Sequence, residues 1–297
     1  MFSGIPAWGA AIVFSALLLG VYDLSIKQAV RENAVAPVVF LATLCGSTFY
    51  LAACLCTGTF LTAAECSFHH WLLILFKAAL VSASWLCGYF AIRELPISIA
   101  IPIRATAPLW TFFGSVILYA EVPTPLQSLG MICVFAGYYL YSVLGKMEGI
   151  SFRRHKGIRM VIAGMLLGAA SGLYDKYLLN VLQIPRNTVQ FWFSVLLVVV
   201  LGLVCLIRLR FSGEKTAFVW RWWIPVTGIL LICTDFLYFY ALSVPDARIS
   251  ILSLIRRCGC VVAFTAGVIW FHEKNPLPKA LALALSLVGV FLLLLFR

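Results

Sequence analysis

Residues 20–23 read Gly-Val-Tyr-Asp within "AIVFSALLLGVYDLSI" (11–26), and residues 172–175 read Gly-Leu-Tyr-Asp within "VIAGMLLGAASGLYDKYLL" (161–179). Each stretch puts a carboxylate directly after a tyrosine in an otherwise apolar run. Asp23 and Asp175 are 152 positions apart in a chain of 297. An ionised carboxylate is costly to bury, so its recurrence at half the chain length points to an internal repeat. The same offset carries Trp71 onto Trp223, Ile97-Ser98-Ile99 onto Ile249-Ser250-Ile251, Arg104 onto Arg256, Phe112 onto Phe264, Glu121 onto Glu273 and Gly137 onto Gly289, with no gap. So many polar and aromatic matches in one register are improbable by chance. They divide the chain into two copies, residues 1–147 and 148–297.

The composition says what surrounds those copies. Hydrophobic residues make up 63% of the chain, charged residues 11%, and the mean hydropathy is +1.03. Soluble domains carry about 45–50% apolar and about 25% charged residues, so this chain is an integral membrane protein. A membrane-crossing helix needs about 20 apolar residues. Ten such runs are present, near 6–28, 36–56, 70–92, 97–119, 125–145, 158–180, 188–208, 222–243, 249–271 and 277–296. Their continuity excludes the alternating ten-residue segments of a β-barrel. Five spans per copy is an odd number, so the second copy must run inverted relative to the first. That is an arrangement used by secondary transporters, with the substrate at the repeat interface. The expected fold is all-α, with ten transmembrane helices in two inverted five-helix repeats.

The net charge of +11 does not read as a nucleic-acid site, because the basic residues lie in short loops between apolar runs. Fourteen of the 22 Lys and Arg fall in the loops after the odd-numbered spans, Lys27, Arg93 and Lys279 among them. Arg186, Arg248 and Arg297 fall on the other side. The positive-inside rule then puts both termini outside the cytoplasm, and a bacterial cytoplasmic membrane is the expected location. The N-terminal "MFSGIPAWGA" has no basic n-region and reads as the start of a mature helix. Most of the ten cysteines sit in apolar runs as small hydrophobes. Cys66 with His69 and His70 has no grouped carboxylate or second Cys and reads as a plain loop. No metal or cofactor site is expected.

The segments "SVILYAEVPTPLQSLGMICVFAGYYL" (115–140) and "GVIWFHEKNPLPKALALALSLVGVFLL" (267–293) each run from an apolar helix through a Glu and a Pro-containing turn to a Gly-bearing helix. With "YFAIRELPISIAIPIRATAPLW" (89–110) and "YFYALSVPDARISILSLIRRCG" (238–259), they make the chain resemble the EamA family of the drug/metabolite transporter superfamily over nearly its whole length. The resemblance implies membrane transport through a central cavity lined mainly by spans 1, 3, 4, 6, 8 and 9. It does not name a substrate. Many members carry small or apolar residues where this chain has Arg104 and Arg256, so a purely hydrophobic cargo does not fit.

Ionisable residues inside the membrane are functional candidates by default. They are Asp23, Lys77, Arg104, Asp175, Lys176, Asp235, Arg256 and Arg257. Helix depth pairs Asp23 with Arg104 in the inner third of the membrane and Asp175 with Arg256 in the outer third. Each pair is either a lock between helices or a gate around an anionic group. Asp235 is a mid-membrane carboxylate suited to a cationic group or a proton, and Lys77 is a partner for Asp175 or for substrate. Tyr22 and Tyr174 read as packing residues or cavity contacts. Glu121 and Glu273 stand before Pro-containing helix starts and read as N-terminal caps. Trp85 and Trp110 read as packing, with a cavity wall as the other choice.

The expected activity is alternating-access transport of a small anionic or zwitterionic metabolite, with export as one direction, by a monomer or homodimer. The alternative is a flippase for a lipid or lipid-linked headgroup. A membrane-embedded transferase fits less well, since the histidines all lie in loops and no Asp pair shares a helical turn. The expected partners are a small-molecule substrate and membrane lipid, and no nucleic acid.

Overall fold

The computed structural model describes residues 7–107, 109–110, 113–114, 117, 124–147, 150, 154–211, 217–243 and 255–295. Eleven α-helices lie among them: α1 (Ala7–Val30), α2 (Val35–Cys56), the short α3 (Phe60–Ala64), α4 (Phe68–Glu94), α5 (Ile97–Ala105), α6 (Pro125–Met147), α7 (Lys156–Lys176), α8 (Arg186–Phe211), α9 (Trp223–Ser243), α10 (Gly259–Trp270) and α11 (Pro276–Leu295). A π-turn, Tyr177–Val181, extends α7. Hydrocarbon offers no partner to backbone polar groups, so an apolar chain satisfies them internally by forming helices. The ends follow local chemistry. Pro125 and Pro276 occupy first helical positions, where a missing N–H costs nothing. The Ser67 hydroxyl accepts from the His70 N–H at 3.2 Å and caps α4.

Six helices are long and apolar enough to cross a membrane: residues Trp8–Val30, Val35–Cys56, Phe68–Glu94, Pro125–Gly145, Lys156–Asp175 and Asn187–Arg208. Trp223–Tyr238 and Pro276–Leu292 are shorter apolar helices. The two remaining expected spans, 97–119 and 249–271, are not continuous. The first breaks after α5 and the second just before α10, and parts of both lie outside the described residues. Large apolar side chains such as Leu206 and Leu281 stay mostly exposed, as a lipid-facing surface requires.

Packing brings the two halves of the chain together. Helix α1 lies on α9, and α4 lies on α7. Helix α2 packs on both α8 and α9, α4 on α8, and α6 on α11. The 152-residue offset turns α1–α9 into α7–α4, and α2–α9 into α8–α4. Between apolar helices in lipid no hydrophobic force favours contact, so small residues that permit close approach carry the packing. Gly46 and Gly228 meet backbone to backbone where α2 crosses α9, and a Cβ at Gly228 would overlap the Ala42 carbonyl oxygen. Gly289 lies likewise against the Gly130 carbonyl in the α6–α11 pair.

Two loop-side charges hold the Leu95–Pro96 link between α4 and α5. The Lys27 ammonium donates to the Ile92 and Leu95 carbonyls, both at 2.6 Å. The Glu273 carboxylate accepts from the Ile97 N–H at 2.7 Å, the Ser98 N–H at 3.1 Å and the Ser98 hydroxyl. A cation thus sits at a helix C-terminus and an anion at a helix N-terminus, each matched to the local dipole. Glu273 is a cap, but of α5 in the other half of the chain, 176 residues back, and not of the helix that follows it. Glu121 lies outside the described residues. Lys279, read from sequence as a loop cation, is fully buried, with its Nζ 3.9 Å from Glu273.

Replacing Gly228 by Ala should lower the apparent melting temperature of the detergent-purified protein by several degrees, because a backbone-to-backbone crossing cannot absorb a methyl group without shifting. Gly172→Ala, whose Cβ would meet nothing within 4 Å, should be neutral. Equal effects of the two substitutions would refute glycine-mediated packing at α2–α9.

Candidate functional site

The breaks in the two interrupted spans repeat at the same offset. Thr106 donates its N–H to the Ile103 carbonyl (3.2 Å), and Leu109 donates to Thr106 (2.9 Å). Cys258 donates to Ile255 (3.0 Å), and Val261 donates to Cys258 (3.0 Å). Each is the tighter three-residue bond of a 3₁₀ turn, a pattern that often marks a hinge inside a helix. Pro108 follows the first break and has no N–H to continue the α-ladder. Arg104 lies two residues before Thr106, and Arg256 two residues before Cys258. The breaks escaped the sequence reading, although Pro108 and Gly259 were legible as their signals.

Beside these breaks is a cavity of about 420 Å³, inside the range of small-molecule sites. Its wall includes Tyr22 and Asp23 from α1, Trp85 and Tyr89 from α4, Arg104 and Ala105 from α5, Gly164 and Met165 from α7, Tyr238 from α9, and Arg256 and Arg257 before α10. A smaller adjoining pocket shares Tyr22, Trp85 and Tyr89 and adds Gln190 and Asp235.

The charges pair as follows. Arg104 Nη1 donates to Asp23 Oδ1 at 3.0 Å, joining α5 to α1 as the depth argument expects. Lys77 Nζ lies 2.5 Å from Asp175 Oδ1 and 4.4 Å from the Phe193 ring centroid, joining α4 to α7 beside α8. Arg256 Nη2 donates to Asp235, and its guanidinium sits over the Tyr238 ring at 4.6 Å. The expected Asp175–Arg256 pair is therefore not formed. The reason is a difference between the copies. The offset puts Ile229 opposite Lys77 and Ala83 opposite Asp235. Asp175 has a cation on its packing partner that Asp23 lacks, and Arg256 has a carboxylate on α9 that Arg104 lacks on α4. Each charge takes the partner its own surroundings supply.

The candidate residues therefore divide. Tyr22, Asp23, Arg104 and Arg256 line the cavity, and Asp235 reaches it through Arg256. Lys77, Asp175 and Tyr174 are absent from its wall. The Tyr174 hydroxyl donates to the Leu73 carbonyl at 3.3 Å, and its ring packs on Phe76 and Tyr177, which is a packing role. Trp85 is a cavity wall rather than simple packing. Tyr89 and Tyr238 were missed as site residues, whereas Arg257, one of the intramembrane candidates, lines the wall. Tyr89 follows Trp85 by four residues and Tyr238 follows Asp235 by three, so helical spacing put each on the cavity face.

Residues 7–143 match the family model described as EamA-like transporter family, within the drug/metabolite transporter superfamily. No curated protein matches the chain. A solved structure described only as "Crystal structure of protein" is similar in fold, with a TM-score of 0.63 and 16% identity, over 96% of this chain and 96% of that one. Fold similarity therefore continues beyond the family match into the second copy. Together the helices and the match support a multi-pass integral membrane protein. Over residues 7–143 the chain is similar to the EamA-like transporter family.

Stability measurements on paired substitutions read the pairing directly. Asp175→Asn and Lys77→Gln should be non-additive, with a coupling of about 1 kcal/mol or more, whereas Asp175→Asn and Arg256→Gln should be additive within about 0.5 kcal/mol. The reverse result would reinstate the Asp175–Arg256 pair.

Proposed function

We propose that this protein is a secondary transporter that carries a small anionic or zwitterionic metabolite by alternating access, with residues 1–147 and 148–297 as inverted five-helix repeats. The observation that carries this reading is the cavity beside the two helix breaks, where three guanidinium groups, Arg104, Arg256 and Arg257, meet one lining carboxylate, Asp23. Discontinuous helices bordering a central site are a recurrent feature of inverted-repeat transporters. The offset-related packing of α1–α9 with α7–α4, and the repeated 3₁₀ bonds at Thr106 and Cys258, support the repeat. The charged lining suits a charged cargo, and the volume suits a metabolite.

The gating part of the proposal follows from the pairing. Asp23 and Arg104 are closed on each other, while the equivalent Asp175 and Arg256 are held by Lys77 and Asp235. Alternation would open one Asp–Arg pair as the other closes. Asp23→Asn and Asp175→Asn should then bias the resting state in opposite directions, read as opposite changes in cysteine labelling from the two membrane faces. Shifts in the same direction would remove the gate and leave the transporter reading standing.

The direct test of function is flux into vesicles reconstituted with the purified protein, against a panel of organic anions, zwitterions and cations. Anions or zwitterions should be carried, and Arg104→Gln or Arg256→Gln should slow transport about tenfold or more, the worth of one charged hydrogen bond. Wild-type rates for both variants would make these arginines structural. The orientation, with both termini outside the cytoplasm, rests on the loop cations, which still favour one side strongly without the buried Lys279. A C-terminal reporter active only in the cytoplasm should stay silent, and strong signal would reverse the orientation.

A further inference from the structure

The intramembrane charges whose side chains are described fall into two sets. Asp23, Arg104, Asp175 and Arg256 recur in both copies and sum to zero. Lys77, Asp235 and Arg257 occur in one copy only, opposite Ile229, Ala83 and Ala105. Lys77 and Asp235 are absorbed by the repeated set, since Lys77 holds Asp175 and Asp235 holds Arg256. That leaves Arg257, which has no ion pair among the described residues. Its electrostatic neighbours include Arg104 and Arg256. Asp23 also lies within electrostatic reach, but its Oδ1 is engaged by Arg104 at 3.0 Å. Arg257 nevertheless lines the cavity, where its counterpart Ala105 also lies. A cation held next to two others in an apolar bundle costs stability unless something negative joins it.

We propose that Arg257 is the anion seat of this cavity and that its occupant is a small organic anion, a carboxylate or phosphate ester, with a flat apolar body. This rests on the anionic-cargo reading and deepens it. One excess positive charge is matched by one carboxylate or one phosphate monoanion, and the guanidinium fork grips either group through two parallel hydrogen bonds. The body is set by the rest of the wall. Trp85, Tyr22, Tyr89 and Tyr238 supply four ring systems beside Leu19 and Met165, surfaces that favour a planar apolar group. Arg104 and Arg256 are already engaged with Asp23 and Asp235, so they frame the seat while Arg257 fills it.

The test uses the full chain purified in detergent and follows its apparent melting temperature against benzoate, phenyl phosphate and benzylamine. A ligand that binds only the folded state raises that temperature with concentration. Benzoate, phenyl phosphate or both should stabilise the wild type, and benzylamine should not; the comparison of the two anions separates a carboxylate seat from a phosphate seat. In Arg257→Gln the half-effect concentration should rise about tenfold or more. In Arg257→Lys, which keeps the charge but loses the fork, it should rise less, and this variant carries the test if the Gln form does not fold. Arg154→Gln, in the loop before α7, should change nothing. An unchanged half-effect concentration in both Arg257 variants overturns the seat and leaves anionic cargo standing. Stabilisation by benzylamine alone overturns both, and stabilisation by none of the three overturns the proposal of a flat organic anion.

Discussion

A charge inside an apolar helix bundle must find a partner, and much of this structure follows from that requirement. Asp23 with Arg104 ties α1 to α5, Lys77 with Asp175 ties α4 to α7, and Asp235 with Arg256 ties α9 to the segment before α10. Each pair fixes the rotation of two helices about their axes, since a helix turned by one residue carries its charge about 100° away, toward lipid. Removing one partner of such a pair is far worse than never having had it, because the other charge is left stranded. The pairs are better evidence of a specified arrangement than of stability.

Between the pairs, the scaffold holds by close approach. Gly46 against Gly228 and Gly289 against Gly130 replace the hydrophobic driving force that lipid removes. Such crossings are rigid, so movement must concentrate elsewhere. The 3₁₀ bonds at Thr106 and Cys258 are the places where the helical ladder is already interrupted. Arg104, Arg256 and Arg257 all lie within two residues of those interruptions. Under the proposed alternation, a small rotation at either break would move a guanidinium across the cavity while the glycine crossings stay packed. Lys27 and Glu273 brace the Leu95–Pro96 link on either side, so α5 is fixed at its start and free to turn only near its end.

The sequence carried much of this, unevenly. The membrane class followed from composition, a property of the chain as a line. The Asp23–Arg104 contact was legible because depth along two helices is also linear, at about 1.5 Å per residue. The choice of Lys77 over Arg256 for Asp175, and the partner of Arg256, were not, because depth leaves helix rotation open, and several charges shared the same depth. The asymmetric positions Lys77, Asp235 and Arg257 held the missing information. Each is a place where the offset pairs a charge with Ile229, Ala83 or Ala105, so comparing where the two halves differ shows which charges the offset-related pairing cannot account for. Glu273 misled for a related reason. Its position before a proline fitted a local cap, and nothing local reveals that the N–H groups of Ile97 and Ser98 lie closer in space.

Under the proposed alternation, repeat symmetry alone would give two end states related by a two-fold rotation, equal in energy and alike in chemistry. The differences between the copies remove that equality. Lys77 stabilises the state in which Asp175 is withdrawn from Arg256, and Asp235 stabilises the same state from the other side. Among the described residues, no other ion pair engages Asp23 or Arg104. The two states must then differ in free energy by whatever these extra contacts contribute, and a gap of about 1.4 kcal/mol already sets a tenfold bias. A ligand can move that balance only by binding the two states unequally. Arg257 has no charged counterpart at Ala105, so under the proposed alternation an anion on it need not favour the two states equally. The residue that breaks the charge balance is therefore also one through which an anion can tilt the conformational balance.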